Sequence, residues 1–121
     1  MDCVRLGQSI DRHGEKFLSR VFTPRERDYC QGRKNALQHY SGRFAAKEAI
    51  LKVLGTGWSK GIAWTDMEIL NTPEGKPLVE LTGRCLQVAE DLGVAQIHIS
   101  ISHIATHAIA SAIGVSAGEA S

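Results

Sequence analysis

Gly42-Arg43-Phe44-Ala45-Ala46-Lys47-Glu48-Ala49-Ile50-Leu51-Lys52-Val53-Leu54-Gly55-Thr56-Gly57 reads as the second half of a long helix that begins near Asn35. Leu37, Tyr40, Phe44, Leu51 and Leu54 recur on one stripe at helical spacing, with Ile50 and Val53 beside them. Gly55 marks the stop, because glycine enters the left-handed C-terminal conformation at little cost. The charges set in this helix have i,i+4 spacing. Read from the helix alone, Arg43 with Lys47 and Glu48 with Lys52 are neighbours on a solvated face.

Upstream, Val4 to His13 forms a short amphipathic helix with Leu6 and Ile10 inward and Arg5 and Arg12 outward. Gly14 interrupts it, and Phe17, Leu18 and Val21 continue the apolar side while Lys16 and Arg20 continue the basic one. Thr23-Pro24-Arg25-Glu26 is a helix start: Thr as N-cap, Pro at the first helical position, Glu closing a capping box. That helix is predicted to reach about Cys30 and to end at Gly32.

Downstream of Gly57 the period changes. Ile62 to Asn71 and Leu78 to Leu81 are predicted strands, joined through Thr72-Pro73-Glu74-Gly75-Lys76-Pro77 by a type I turn. Gly83 to Leu92 is a predicted helix burying Cys85, Leu86, Ala89 and Leu92. Gln96 to Ser102 alternates, with Ile97, Ile99 and Ile101 on one face and His98, Ser100 and Ser102 on the other. His107 to Val115 is a second alternating strand. Helices followed by mostly antiparallel strands indicate an α+β domain, with N-terminal helices and one long central helix packed on the sheet.

With 121 residues, 43% of them hydrophobic, the chain has material for one core. The domain is predicted over 1–115, with 116–121 a frayed tail. No apolar run approaches a membrane span and no stretch has the form of a secretory signal, so no membrane partner is expected. Cys3, Cys30 and Cys85 are odd in number and far apart, which indicates reduced thiols in a cytoplasmic protein. Residues 1–60 hold twelve Lys or Arg against six Asp or Glu, a charge of +6, and the remainder holds two against seven, −5. Such a field steers an acidic partner to one face. Without an interleaved aromatic platform, and with a pI near 7.8, nucleic acid is not the expected partner. An acidic protein or a phosphorylated small molecule fits better.

Gly55-Thr56-Gly57 follows a helix and so sits at the negative end of its dipole, unlike a phosphate loop that precedes one. From the residues alone it is a C-cap. His103 shares the apolar parity of Ile97, Ile99 and Ile101, which places it at the core's edge as a structural histidine. Cysteine and histidine spacings give no zinc pattern.

Taken together, the blocks resemble a known family. Phe44-Ala45-Ala46-Lys47-Glu48-Ala49-x-x-Lys52 followed by Leu54-Gly55-Thr56-Gly57 resembles the signature of the holo-[acyl-carrier-protein] synthases, which are 4′-phosphopantetheinyl transferases. Arg12-His13-Gly14-Glu15-x-Phe17-Leu18 with Phe22-Thr23-Pro24-x-Glu26 is similar to the family's N-terminal helices. Gly75-Lys76-Pro77 is similar to its hairpin, and Ser100-Ile101-Ser102-His103 to its late strand. The resemblance runs from about Cys3 to Gly114.

It implies transfer of phosphopantetheine from coenzyme A to a serine of an acidic acyl carrier protein, with Mg²⁺ as cofactor. The released product is adenosine 3′,5′-bisphosphate and the setting is fatty acid biosynthesis. It also implies a homotrimer with active sites between subunits. By position, Glu48 becomes the Mg²⁺ ligand, and Glu48 and Lys52 become the catalytic pair. Arg43, Lys52 and the backbone of Gly55, Thr56 and Gly57 would meet the coenzyme. Lys76 and Pro77 would lie near its adenine end, and Ser102 and His103 would border the same cleft. Arg5, Arg12 and Arg20 would receive the carrier.

The family opens with a strand containing Gly-x-Gly-Thr-Asp, whose Asp is a second Mg²⁺ ligand. In register that Asp falls before Met1, while Asp2 matches an acidic position at the start of the first helix and is not the ligand. Ile104 stands where many members carry Asp. The resemblance therefore implies either a competent transferase, impaired in a chain starting at Met1, or a non-catalytic module that binds coenzyme A or the carrier.

Overall fold

The computed structural model describes residues 2–56, 61–104 and 106–116. Asp2 caps the first helix, α1 (Cys3–His13), by accepting from the N–H groups of Val4 and Arg5. Gly14, at φ 55°, breaks α1 from α2 (Glu15–Val21). Thr23 and Glu26 form the expected capping box at the start of α3 (Pro24–Gln31), and Pro24 opens the helix. The long helix α4 (Ala36–Leu54) follows the N-cap Asn35 and ends at Gly55, which takes φ 70°. Nineteen residues make it about 28 Å long at 1.5 Å each.

The first hairpin pairs β1 (Met67–Asn71) with β2 (Pro77–Leu81) antiparallel, Ile69 opposite Val79. Its turn closes through the Gly75 N–H donating to the Thr72 carbonyl at 2.8 Å. The predicted strand over Ile62 to Asn71 is shorter than expected: Trp64–Asp66 forms a 3₁₀ turn, and pairing starts at Met67. Asp66 is the reason, because its carboxylate turns back onto the Ala63 N–H at 3.1 Å and also receives the Cys85 N–H at 3.3 Å.

Helix α5 (Gly83–Asp91) buries Cys85, Val88 and Ala89. Leu86 and Leu92, expected inside, are 41% and 55% exposed. The helix lies with Val88 toward the core, which turns both leucines out. The second hairpin pairs β3 (Val94–His103) with β4 (Ala108–Ser116), Ile99 opposite Ala112. The sheet expected as one is thus two separate two-stranded antiparallel sheets among the described residues.

Helix α4 organises both cores. Ala46, Ile50, Leu51 and Leu54 pack with Met67, Ile69, Cys85 and Val88, and the inward residues Ile97, Ile99 and Ile101 lie against this cluster. Tyr40 joins Leu6, Val21, Phe22 and Cys30 in a second cluster under the N-terminal helices. Leu37, on the expected stripe, is only partly covered at 36% exposure. Small residues let the helix sit close on the second sheet. A Cβ on Gly42 would come within 2.9 Å of Ile101 Cγ2, and one on Gly114 within 2.9 Å of Val53 Cγ1.

Candidate active site

Because α4 is covered on several sides, its charges have different fates. Arg43 and Lys47, expected on a solvated face, are buried at 4% and 0% exposure. Packing of α3 and β1 over that face removes it from water, so both cations have protein partners instead. Lys47 Nζ donates to Glu26 Oε1 at 2.7 Å and to the Val21 carbonyl at 2.6 Å. Glu26 also accepts from the Thr23 and Ile69 N–H groups, at 2.9 and 3.0 Å. Burial pushes the Lys47 ammonium below its ordinary value, and Glu26 opposes that shift. Glu26 was legible as a capping residue, but no spacing rule connects it to Lys47 twenty-one residues away.

Glu48 and Lys52 lie on the exposed side of α4. Their expected i,i+4 pair is absent from the ion pairs found among the described residues. Both line a cleft of about 490 Å³ between α4 and β4, whose floor is Ala45, Ala49 and Val53. Glu48 also lines a second cleft of about 460 Å³ beneath α1, with Asp2, Arg5, Arg12, His13, Phe17 and Phe44. It stands where a basic cleft and a lysine-bearing cleft meet.

Arg43, Pro77 and His103 come together elsewhere, in a pocket of about 180 Å³ that also takes in Tyr29, His39 and Asn71. Arg43 Nη2 donates to Asn71 Oδ1 at 2.6 Å, and its Cζ lies 4.4 Å from the Tyr29 ring centre. One chain therefore holds the flagged residues in two groups, Glu48 with Lys52 and Arg43 with Pro77 and His103.

The sequence matches the 4′-phosphopantetheinyl transferase superfamily over residues 1–111. The holo-[acyl-carrier-protein] synthase of Koribacter versatilis is 45% identical over 93% of this chain and 90% of its own. The fold superimposes with TM-score 0.81 on Helicobacter pylori holo-[acyl-carrier-protein] synthase in complex with coenzyme A, at 29% identity and 95% of each chain. A Bacillus anthracis holo-(acyl-carrier-protein) synthase in complex with CoA (3′,5′-ADP) gives TM-score 0.79 at 31% identity, covering 97% of this chain and 91% of that one. The chain belongs to the 4′-phosphopantetheinyl transferase superfamily.

In this phosphopantetheinyl transferase the remaining flagged residues are dispersed. The Gly55 N–H donates to the Lys52 carbonyl at 3.1 Å and the Thr56 N–H to the Leu51 carbonyl at 3.4 Å. These two bonds form a Schellman cap, in which the Gly55 and Thr56 N–H groups bond to carbonyls of α4. Gly57 lies outside the described residues. Lys76 is exposed and lines an apolar groove shared with Pro77, between β2, α5 and β3. Ser102 is exposed on the face of β3 opposite His103 and pairs with Ile109, so within one chain it does not reach His103's pocket. His103 is exposed at the strand end, with its ring 5.8 Å from that of His39. Tyr29, His39 and Asn71 were not singled out in the sequence. His39 lies one helical turn before Arg43, but Tyr29 and Asn71 are far from it along the chain, and only the packing of α3 and β1 against α4 brings those two to Arg43 and His39.

Asp2 lines the Glu48 cleft, but its Oδ1 is engaged in capping α1, at 2.9 Å from the Val4 N–H. Among the described residues no three His, Cys, Asp or Glu gather as a metal cage.

Proposed function

We propose that this transferase moves 4′-phosphopantetheine from coenzyme A to a serine of an apo acyl carrier protein, with Mg²⁺, releasing adenosine 3′,5′-bisphosphate. The observation that carries the reading is the position of Glu48, exposed on α4 and shared by the basic cleft under α1 and the Lys52 cleft. The names of the relatives, acyl-carrier-protein synthases, support the acceptor, and structural neighbours in complex with coenzyme A support the donor.

A single exposed carboxylate fits Mg²⁺, which is commonly held by one or two carboxylates together with substrate phosphates and water. Glu48 and the coenzyme's phosphate oxygens would hold it, and when bound it neutralises pyrophosphate charge. Lys52, on the same side of α4, pairs with phosphate oxygens and stabilises charge on the departing bisphosphate. The acceptor serine hydroxyl loses its proton to solvent, and its oxygen bonds to phosphorus as the bond from phosphorus to the bisphosphate oxygen breaks. Arg5 and Arg12 line the approach and hold an acidic carrier over Glu48.

Arg43, Pro77 and His103 take the adenine end of the coenzyme, contributed by a neighbouring copy in a homotrimer. The separation of the two groups within one chain supports a site completed between subunits. So does the outer face of β3 and β4, where Ile109 and Ile113 are 72% and 65% exposed and a closed ring of subunits would cover them. The buried free thiols of Cys3, Cys30 and Cys85 support a reducing compartment, the cytoplasm, where the holo carrier would serve fatty acid biosynthesis.

The test is to combine the protein with apo carrier protein, coenzyme A and Mg²⁺ and follow carrier mass. The phosphopantetheine increment is expected with the unaltered chain and not with Glu48→Gln, whose melting curve should be unchanged. Coenzyme binding without any increment would instead identify a non-catalytic module. Light scattering should give about three times 13.2 kDa; a monomer that transfers at full rate would remove the shared site.

A further inference from the structure

The 180 Å³ pocket holds a group that the transfer reading does not use. His39 lies on α4 one turn before Arg43, half-buried, with its ring 5.5 Å from Tyr29 and 5.8 Å from His103. The groups that face it are Tyr29 of α3, Arg33 of the α3–α4 connection, Arg43 of its own helix and His103 of β3. Asn71 and Pro77 complete the pocket without charge. The charged groups that lower the His39 pKa are all basic, Arg43, His103 and Arg33, and among the described residues no carboxylate lines the pocket.

Arg43 supplies a second, independent observation. It is 4% exposed, and its Nε is buried without a hydrogen-bond partner among the described residues, although Nη2 reaches Asn71. A buried guanidinium N–H left unsatisfied is costly unless a ligand supplies an acceptor. Phosphate oxygens suit it, since they accept from Arg and from imidazolium alike.

We propose that His39 is an anion-binding residue of this pocket, taking up a proton when a phosphate group of adenosine 3′,5′-bisphosphate or of coenzyme A enters beside Arg43 and His103. The inference rests on the coenzyme reading above and adds to it a residue and a proton. In the free protein, burial first and then Arg43, His103 and Arg33 lower the pKa of the His39 imidazole from its ordinary 6.5, which favours the neutral ring. A phosphate dianion at the centre of the ring reverses the local field and favours imidazolium. His39 then has a higher pKa in the complex than in the free protein. Its contribution to affinity is complete below the free-protein pKa and is lost as pH rises through the pKa of the complex.

The phosphate monoester's own second ionisation, near pH 6, acts in the opposite sense. His39→Phe retains an aromatic ring for the contacts with Tyr29 and His103 but cannot titrate, so comparing it with the unaltered protein cancels the ligand's ionisation. His39→Gln serves the same comparison if the phenylalanine variant fails to fold.

The experiment measures binding of adenosine 3′,5′-bisphosphate by calorimetry from pH 5.5 to 8, in buffers of different ionisation enthalpy. The affinity advantage of the unaltered protein over the variant should be about three- to tenfold greater at pH 6 than at pH 8, because one unit of pKa is tenfold in affinity. The unaltered protein should also take up more protons per ligand bound. An advantage that does not vary with pH, with equal proton counts, would overturn the role of His39. Absence of binding by the unaltered protein at every pH would instead overturn the coenzyme reading, and with it this proposal.

Discussion

Lys47 Nζ lies 2.7 Å from Glu26 Oε1, and neither side chain has any solvent exposure. Through Glu26 this contact joins α4 to the start of α3 and to β1 at Ile69. The residue next to Lys47 is Glu48, so the pair fixes the turn of α4 that presents the carboxylate. Lys47→Met leaves a buried carboxylate without its counter-ion, a loss of about 3–5 kcal/mol in comparable cases. Urea denaturation should show a fall of that size. A fall below about 1 kcal/mol would mean that water enters and solvates Glu26.

Gly42 tests how tightly α4 lies on the second hairpin. Alanine there gains about 1 kcal/mol of helix propensity. Its Cβ would meet Ile101 Cγ2 at 2.9 Å, however, and overpacking costs about 1–3 kcal/mol. Gly42→Ala should therefore destabilise. In an Ile101→Ala background the clash is gone, and the same change should be neutral or stabilising. Additive effects in that double-mutant cycle would show that the helix shifts freely away from the sheet.

Arg12 lies in the last turn of α1 and lines the cleft that contains Glu48. Reversing its charge costs about 0.3–1 kcal/mol against the helix dipole, too little to unfold the protein. Arg12→Glu should raise the KM for carrier protein and leave the affinity for coenzyme A unchanged. Carrier association should slow as salt shortens the Debye length below about 8 Å. Association independent of salt would move the carrier to another face.

The buried thiols predict an alkaline stability profile. Desolvation raises Cys30 and Cys85 from the ordinary 9.0 to about 11. Both folded values lie above the unfolded ones, so their stabilisation is complete below pH 9 and is lost as pH rises through about 11. The slope is about 1.4 kcal/mol per pH unit for each thiol. Lys47, shifted downward by burial, acts in the opposite sense. Comparing the unaltered protein with Cys85→Ala isolates one thiol, and the variant should lose stability less steeply between pH 9 and 11. Parallel profiles would show that Cys85 ionises without unfolding.

The sequence by itself determined the elements whose signals are local. Thr23-Pro24-x-Glu26 specified the start of α3, Gly55 the end of α4, and the alternation of Ile97, Ile99 and Ile101 the inward face of β3. These depend on capping, backbone freedom and side-chain period, all set within a few residues. The order of the blocks, from Arg12-His13-Gly14 to Ser102-His103, was also enough to indicate the family.

Only the tertiary structure decided which charges of α4 meet water. A helical wheel gives Arg43, Lys47, Glu48 and Lys52 similar standing, because it does not know what covers each side. Packing of α3 and β1 buries Arg43 and Lys47 and leaves Glu48 and Lys52 exposed in the clefts. Packing of α3, β1 and β3 brings Tyr29, Asn71 and His103 from three separate parts of the chain to Arg43 and to His39, one turn before it on α4. Packing of α5 against β3 and the 3₁₀ turn likewise leaves Leu86 and Leu92 outward while Val88 goes in. The physical reason is that burial and ion pairing over such distances in sequence are properties of surfaces brought together, which no spacing rule along one helix encodes.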